Sequence, residues 1–182
     1  YSLEDPHSYV DNNIYATVNL LEASKIYNVK DIVFASTSSV YGLSTEVPFK
    51  ESTPIDSTIS TYSASKRACE LLCHTYHKLS GIRFRILRFF TVYGPWGRPD
   101  MALFKFTAAM LNGEPIDVYN SGQMVRDFTF IDDIVEGVIR VLDKIATPNP
   151  DFDPQSPDPQ SSRAPFRVFN IGNGNPVPLM DY

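Results

Sequence analysis

Tyr62 and Lys66 lie four residues apart in the segment YSASK. In a helix this spacing places a phenol and an ammonium on the same face, about one turn apart. A nearby ammonium charge stabilises a phenolate, so such a pair can perform acid–base chemistry closer to neutral pH than a lone tyrosine. The same spacing also occurs on solvated helix faces, and the pair alone does not decide between the two interpretations.

Thr37 supplies a hydroxyl 25 residues upstream of Tyr62, directly after the apolar run Ile32–Ala35 and one serine. A short continuous apolar run is typical of a parallel strand that is covered on both faces. Ligands of open α/β sheets bind at the carboxyl ends of the strands. We therefore expect Thr37 to hydrogen-bond to the same substrate oxygen that Tyr62 deprotonates.

The elements that position these groups follow from apolar periodicity and from glycine, asparagine and capping residues. Helices are predicted at Asp11–Tyr27 before Asn28, at Tyr62–Leu79 before Gly81, at Met101–Leu111 before Gly113, and from the N-cap Asp132 to Ile145. Strands are predicted at Ile32–Ala35, Phe84–Phe90, Met124–Ile131 and Val168–Ile171, and a further helix begins near Pro178. Strands that alternate with helices indicate an α/β fold with a mostly parallel sheet.

Two regions depart from this alternation. The segment Thr147–Pro165 carries six of the fourteen prolines, which predicts an exposed loop or a disordered excursion. No glycine-rich turn follows a first strand anywhere in the 182 residues, so the phosphate-binding half of a dinucleotide fold is missing. We expect the chain to be the middle of a longer protein and to bind a dinucleotide weakly by itself.

Composition excludes several classes of function. The formal charge of -5 and the pI of about 5.1 argue against binding to nucleic acid or to an anionic membrane. No apolar run is long enough to span a bilayer and no signal pattern opens the chain, so a cytoplasmic location is expected. Cys69 and Cys73 lie four residues apart on one predicted helix, which predicts neither a disulfide nor a metal site.

Four motifs occur in a characteristic order. They are Phe34–Gly42 (FASTSSVYG), Tyr62–Lys66 (YSASK), Leu87–Pro95 (LRFFTVYGP) and Arg126–Asp133 (RDFTFIDD). Together they resemble the motifs of extended short-chain dehydrogenases/reductases that act on nucleotide sugars. The stretch Trp96–Ala102 resembles the UDP-glucuronate 4-epimerase branch of that family.

The resemblance implies a partial Rossmann-like, doubly wound parallel sheet with elements of a small C-terminal substrate-binding region. Residues 1–95 would form the later part of the NAD-binding domain, including the catalytic motifs. Residues 96–182 would form a mixed substrate-binding region with returning Rossmann elements. In the intact family, the helices that begin near Asp11 and Tyr62 commonly form a homodimer interface.

The resemblance also implies a role for each matching residue. Thr37, Tyr62 and Lys66 would be catalytic, with Tyr62 accepting the proton of the sugar 4-hydroxyl while NAD takes the hydride from C4. Contacts to NAD would come from Ser36, Tyr62, Lys66 and Tyr93. Contacts to the UDP-sugar would come from Ser38, Ser39, Thr91, Arg98, Met101, Phe104, Phe106 and Arg126.

Several of these residues also have an alternative interpretation in which they serve only the structure of the protein. Arg126 would bind the diphosphate, or form a surface ion pair with Asp127. Arg98 would reach the sugar carboxylate, or be a solvated loop residue. Met101, Phe104 and Phe106 would line a uracil pocket, or be ordinary core at helical spacing.

Ser38 and Ser39 bear on the reaction. Dehydratases and decarboxylases of the same superfamily usually carry a carboxylate directly after the threonine that matches Thr37, and this chain has two serines there. The resemblance therefore favours 4-epimerisation of a UDP-sugar, with UDP-glucuronate as the expected substrate. The alternatives are a UDP-glucose/UDP-galactose 4-epimerase, a related dehydratase or decarboxylase, or a non-catalytic fragment.

Overall fold

The computed structural model describes residues 2–181, which form two compact units. The first unit contains the residues up to Phe89 together with Val138–Ile171, and the second contains Phe90–Gly137 together with the residues from Gly172 onward. The helices are α1 (Pro6–Tyr9), a π-helical segment (Val10–Tyr15), α2 (Ala16–Ile26), α3 (Thr61–Ser80), α4 (Ala102–Asn112) and α5 (Ile131–Asp143). The strands are β1 (Asp31–Thr37), β2 (Arg83–Phe89), β3 (Thr91–Tyr93), β4 (Val125–Phe130), β5 (Phe166–Ile171) and β6 (Pro176–Pro178).

A parallel three-stranded sheet, in the order β1-β2-β5, organises the first unit. Thr37 pairs with Phe89, and Phe89 pairs with Ile171, so the three strands end at the same edge. This confirms the predicted α/β fold with a parallel sheet. The strand β1 departs from its prediction, because Ile32–Phe34 are only half-buried and Ala35 is exposed. Within residues 2–181, β1 is the first strand of the order β1-β2-β5 and pairs with β2 alone.

Helix α3 extends one residue beyond its predicted bounds, Tyr62–Leu79, at each end and stops before Gly81 as predicted. Ser60 caps the first turn, since its hydroxyl accepts a hydrogen bond from the Ser63 backbone N–H at 3.1 Å. Gly81 ends the helix in the left-handed conformation, with φ of 70°. The buried face of α3 packs on the sheet in a core of Leu21, Cys73, Ile82, Phe84, Ile86, Phe166 and Val168. Cys69 and Cys73 are both buried and free, as predicted.

His77 gives this core a dependence on pH. Its side chain is 2% exposed, and neither ring nitrogen has a hydrogen-bond partner within residues 2–181. Burial, with smaller contributions from the charges of His74 and Lys78, lowers the pKa of His77 to about 4. The unfolded histidine, with its ordinary pKa of about 6.5, therefore binds more protons than the folded one between pH 6.5 and 4.

We expect this histidine to remove about 2 kcal/mol of the free energy of unfolding between pH 7.5 and 4.5. His77→Leu should lose less stability over that interval than the wild type, by about the same amount. Urea denaturation at the two pH values measures both quantities. His7→Leu, at an exposed position, is the control that should keep the wild-type acid sensitivity. An equal acid-induced loss in the wild type and His77→Leu would contradict this account.

The second unit is built on β3, β4 and β6, in the order β3-β4-β6. Strands β3 and β4 are parallel, whereas β6 is antiparallel to β4. Gly113 ends α4 in the left-handed conformation, as predicted. The chain near Pro178 forms β6 followed by the short 3₁₀ turn Leu179–Asp181, so the sequence prediction of a helix there locates the turn but misses the strand.

The N-terminus of α5 differs from its prediction. Asp132 lies inside the first turn, because α5 begins at Ile131 directly after β4 and leaves no room for a separate N-cap residue. Its carboxylate and that of Asp133 still favour the positive end of the helix dipole. The helix ends at Asp143, two residues before the predicted end.

The loop 147–165 has no helix or strand and is exposed at most positions, as predicted. Hydrogen bonds nevertheless hold its two ends together. Asn149 donates its backbone N–H to the Ser162 carbonyl at 2.7 Å and its side-chain amide to the Ser161 hydroxyl at 3.0 Å. Ser161 in turn donates to Asp158 at 2.7 Å. No helix within residues 2–181 is both long and apolar enough to cross a bilayer.

Candidate active site

Lys66 joins α3 to the carboxyl end of β1. Its ammonium donates a hydrogen bond to the Ala35 carbonyl at 2.6 Å and lies 4.6 Å from the centre of the Phe34 ring. Burial lowers the pKa of Lys66 below its ordinary value, although the negative charge of Glu70 opposes this effect. The lysine of the YSASK segment thus lies beside the strand that carries Thr37, at the sheet edge where the sequence places the site.

Tyr62 lies in the first turn of α3 and is half-buried. Its ring packs edge-on against Tyr9, with 5.9 Å between ring centroids. The Tyr62 carbonyl accepts a hydrogen bond from Ser65, whose hydroxyl accepts one from the Asn13 amide, both at 2.8 Å. Asn13 belongs to the π-helical segment Val10–Tyr15, so this wide turn is docked on the part of α3 that carries Tyr62. π-Helical turns of this kind occur frequently at functional sites.

Thr37 caps the 3₁₀ turn Ser38–Tyr41 that follows β1. Its hydroxyl accepts a hydrogen bond from the Ser39 backbone N–H and donates one to the Ser39 hydroxyl, both at 3.2 Å. Ser38 and Ser39, the predicted sugar contacts, therefore belong to the same turn as Thr37. The structure brings together three hydroxyl groups where β1 ends.

Glu70 is the centre of a buried network that the sequence analysis missed. Its carboxylate receives two hydrogen bonds from Arg88, at 3.0 and 2.9 Å, and one from Arg67 at 3.1 Å. The side chains of Glu70 and Arg88 are 1% and 0% exposed. Burial alone lowers the pKa of Arg88, but the hydrogen bonds and charge of Glu70 outweigh burial and raise it above the usual range. A charged residue inside the apolar strand Arg83–Phe89 is the signal that indicates a buried partner.

The network extends to the end of β1 and to the neighbouring loop. Ser36 donates its hydroxyl to Glu70 at 2.6 Å. Arg88 donates to the Tyr41 hydroxyl at 3.0 Å, and Tyr41 donates to the Asn170 side chain at 2.7 Å. The Ser36 hydroxyl is thus engaged inside the protein, and its predicted contact with a cofactor stays a prediction.

A cavity of about 410 Å³ lies in the second unit. Four of the predicted binding residues and Phe106 line it: Thr91, Tyr93, Met101, Phe106 and Arg126. Phe104 is 55% exposed and is not part of the lining. The Tyr93 ring also packs against Phe130, with 5.5 Å between ring centroids. The wall is mostly apolar, and its charged groups are the Arg126 guanidinium, the Lys105 ammonium and the carboxylates of Asp100 and Asp117. A planar, mostly apolar group with an anion beside the two cationic side chains suits such a cavity.

Arg126 is exposed, and its guanidinium donates to the Val125 carbonyl at 3.0 Å and to the Met124 sulfur at 3.5 Å. The suggested ion pair with Asp127 is not formed, because the Asp127 carboxylate accepts hydrogen bonds from the backbone of Asn173 and Gly174, at 3.0 and 2.7 Å. Asp127 therefore fixes the turn after β5, and Arg126 has no carboxylate partner within residues 2–181.

Arg98 lies outside the cavity lining, in the loop between β3 and α4. Its guanidinium donates to the Asp100 carboxylate at 3.0 Å, and the side chain is 75% exposed. The hydrogen bond to Asp100 lowers the pKa of that carboxyl group. The contact between Arg98 and a sugar carboxylate stays a prediction.

Comparisons with known proteins place the chain in a family. It is 53% identical over 182 residues to Protein CapI of Staphylococcus aureus, covering 100% of this chain and 54% of that protein. It is 47% identical over 183 residues to a probable UDP-glucuronate 4-epimerase of Rhizobium meliloti, covering 100% of this chain and 54% of that protein. The chain spans about half the length of these curated relatives.

The fold gives the same result. The solved structure of UDP-glucuronic acid 4-epimerase from Bacillus cereus, in complex with UDP-glucuronic acid and NAD, matches with a TM-score of 0.76 and 36% identity. The match covers 94% of this chain and 49% of that one, and it confirms the Rossmann-like fold class. The sequence profile of the NAD dependent epimerase/dehydratase family matches residues 1–156, and the chain therefore belongs to that family.

Proposed function

We propose that the protein containing this chain is an NAD-dependent UDP-sugar 4-epimerase that converts UDP-glucuronate into UDP-galacturonate through a 4-keto intermediate. The hydrogen bond of Lys66 to Ala35 carries the proposal, because it docks the YSASK turn beside the strand end that holds Thr37. The Rhizobium meliloti relative and the Bacillus cereus structure support the choice of substrate.

The residues present fit the nicotinamide end of NAD. Their donor set, a phenol and an ammonium on α3, suits ribose hydroxyls and a carboxamide, and the Lys66 ammonium lies at the carboxyl end of β1, where dinucleotides bind in open α/β sheets. Tyr62 and Lys66 would hold this end of the cofactor. When bound, NAD accepts the hydride from C4 of the sugar and returns it.

The chain's own residues move the proton. Tyr62 removes the proton of the 4-hydroxyl as a phenolate, and the Lys66 ammonium stabilises that anion. Thr37 hydrogen-bonds to the same oxygen and keeps it in line with the phenol. Between the two proton transfers the keto sugar turns, so that the opposite face of C4 receives the hydride. Tyr62 then returns the proton to the C4 oxygen, which gives the inverted alcohol.

Ser38 and Ser39 favour epimerisation over elimination. Loss of water requires additional proton transfers, for which a carboxylate next to the catalytic threonine is the usual agent. The 3₁₀ turn after Thr37 offers hydroxyls instead. Hydroxyls can hold the sugar carboxylate by hydrogen bonds without removing a proton from the sugar ring, and Thr91 and Arg98 are further proposed contacts to that carboxylate.

The cavity of the second unit is proposed to hold the UDP group. Met101 and Phe106 supply apolar walls for the base, and Arg126 supplies a guanidinium for the diphosphate.

Arg126→Gln should weaken UDP binding about 10- to 100-fold, because a hydrogen bond to a charged group contributes about 1.5–3 kcal/mol. Isothermal titration with UDP measures this loss. Binding of uridine, which lacks the diphosphate, should be unchanged by the substitution, and an equal loss for uridine would contradict the assignment.

Exposed apolar residues on α2 and α3 support a further proposal, that the protein is a homodimer. Leu20 and Ile26 on α2 are 68% and 75% exposed, and Leu71 and Leu79 on α3 are 52% and 69% exposed. Apolar helix faces of this kind commonly mark an interface between subunits.

The test of the function is a product assay on the natural protein that contains this chain. Incubation with UDP-glucuronate should yield UDP-galacturonate, identified by chromatography against both standards, with no release of carbon dioxide. Conversion of UDP-glucose and not of UDP-glucuronate would replace the substrate in this proposal. A decarboxylated pentose or a dehydrated product would replace the reaction.

A further inference from the structure

Trp96 is the only tryptophan of the chain. It combines an exposed apolar side chain with a strained backbone conformation, and both are energetically unfavourable. Its side chain is 102% exposed, so none of the described residues covers the indole. Its backbone has a φ of 64°, in the left-handed region that residues other than glycine, asparagine and aspartate rarely adopt. That conformation costs about 1–2 kcal/mol for a residue with a Cβ atom.

The position of Trp96 connects it to the cavity of the second unit. The loop 94–99 joins Tyr93 at the end of β3 to Asp100 and Met101 before α4, and these three residues line the cavity. Trp96 therefore lies at the tip of a short loop whose two ends are cavity walls. Gly97 donates its backbone N–H to the Gly94 carbonyl at 3.1 Å, which closes the loop into a tight turn.

Gly94 fixes one end of this loop. Its φ is 134°, and an added Cβ would lie 2.6 Å from a side-chain carbon of Ile131. The loop therefore leaves β3 in a direction that only glycine permits, and this direction brings Trp96 into solvent. A lone exposed apolar residue is ordinary on a protein surface. An exposed indole on a strained backbone is not, since such strain clusters at ligand clamps.

We propose that Trp96 is a ligand-contacting residue that covers the hexose ring of a nucleotide sugar whose UDP group lies in the cavity of the second unit. The proposal rests on the proposed function, which places UDP in that cavity. The indole offers a large, rigid apolar face at a low cost in conformational entropy. The carbon–hydrogen face of a hexose is the complementary surface, and the ring hydroxyls remain free for the polar residues of the site.

Fluorescence of the indole tests the contact directly, without turnover. In the natural protein, UDP-glucuronate should change the emission excited at the red edge of tryptophan absorption, and Trp96→Phe should abolish that change. UDP alone should cause a much smaller change. Trp96→Ala should weaken UDP-glucuronate binding about tenfold, which corresponds to about 1.4 kcal/mol, with little effect on UDP. Leu111→Ala, at an 82% exposed position outside the cavity lining, should leave both affinities unchanged.

Each contrary result has a distinct meaning. Calorimetric binding of UDP-glucuronate without a Trp96-dependent change would overturn the contact and leave the proposed function intact. An equal change with UDP alone, or a change that follows protein concentration instead of ligand, would also overturn the contact to the hexose. Binding and a Trp96-dependent change without epimerisation would overturn the proposed function and leave the contact intact. Absence of binding by either compound would overturn both.

Discussion

Tyr62→Phe is expected to lower kcat for UDP-glucuronate epimerisation about 10³-fold, the usual contribution of a positioned acid–base group. The substitution removes only the hydroxyl, and the ring keeps its edge-on packing against Tyr9. The dissociation constant of UDP-glucuronate should therefore change little, because the lost atom acts mainly in the transition state. Steady-state kinetics and calorimetry on the natural protein measure the two quantities.

Tyr76→Phe is the matched control for this experiment. Tyr76 lies on the same helix, and its hydroxyl donates a hydrogen bond to Glu22. It has no proposed role in the reaction, so its variant should keep wild-type turnover. Equal losses in the two variants would show that a phenol on α3 is needed for folding, and wild-type turnover of Tyr62→Phe would remove Tyr62 from the mechanism.

Glu70→Gln is expected to lower the free energy of unfolding by about 3–5 kcal/mol, because it leaves the buried guanidinium of Arg88 without its counter-charge. The two side chains are almost completely excluded from solvent, so water cannot replace the lost interaction. Urea denaturation of the wild type and the variant at neutral pH measures the difference.

Two further variants show whether the loss comes from the unpaired charge. Glu46→Gln removes an exposed carboxylate that pairs with Lys50, and it should change stability little. Replacing Glu70 by Leu and Arg88 by Met together should recover much of the loss, since an apolar pair can take the place of a buried ion pair. A Glu70→Gln protein as stable as the wild type would contradict the account.

The local features of this fold follow from local sequence. Gly81 and Gly113 end α3 and α4 because only a residue without a Cβ atom adopts the left-handed conformation at no cost. The prediction of Asp132 as an N-cap is wrong because β4 runs directly into α5, which a local capping pattern does not reveal. The predicted burial of β1 is not reached within residues 2–181, where β1 pairs with β2 alone.

Some features of the candidate site can be predicted from local motifs, and others depend on residues that are distant in the chain. The YSASK spacing and the hydroxyls after β1 are readable as local motifs, and the structure places Lys66 against Ala35. The members of the Glu70 network cannot be predicted from a local pattern, because they are far apart in the chain. Tyr41 and Asn170, for example, are 129 residues apart. The backbone donors to Asp127 are also distant in the chain, 46 and 47 residues away in the turn after β5.

The order of the strands along the chain has a consequence for synthesis on the ribosome. β4 is the middle strand of its sheet, and β6, which covers one of its edges, comes only after α5, the loop 147–165 and β5. The growing chain therefore carries β4 with an open edge until the residues from Pro176 have left the exit tunnel. Open strand edges pair readily with other chains. During this interval the nascent chain exposes a strand edge at which another chain can pair.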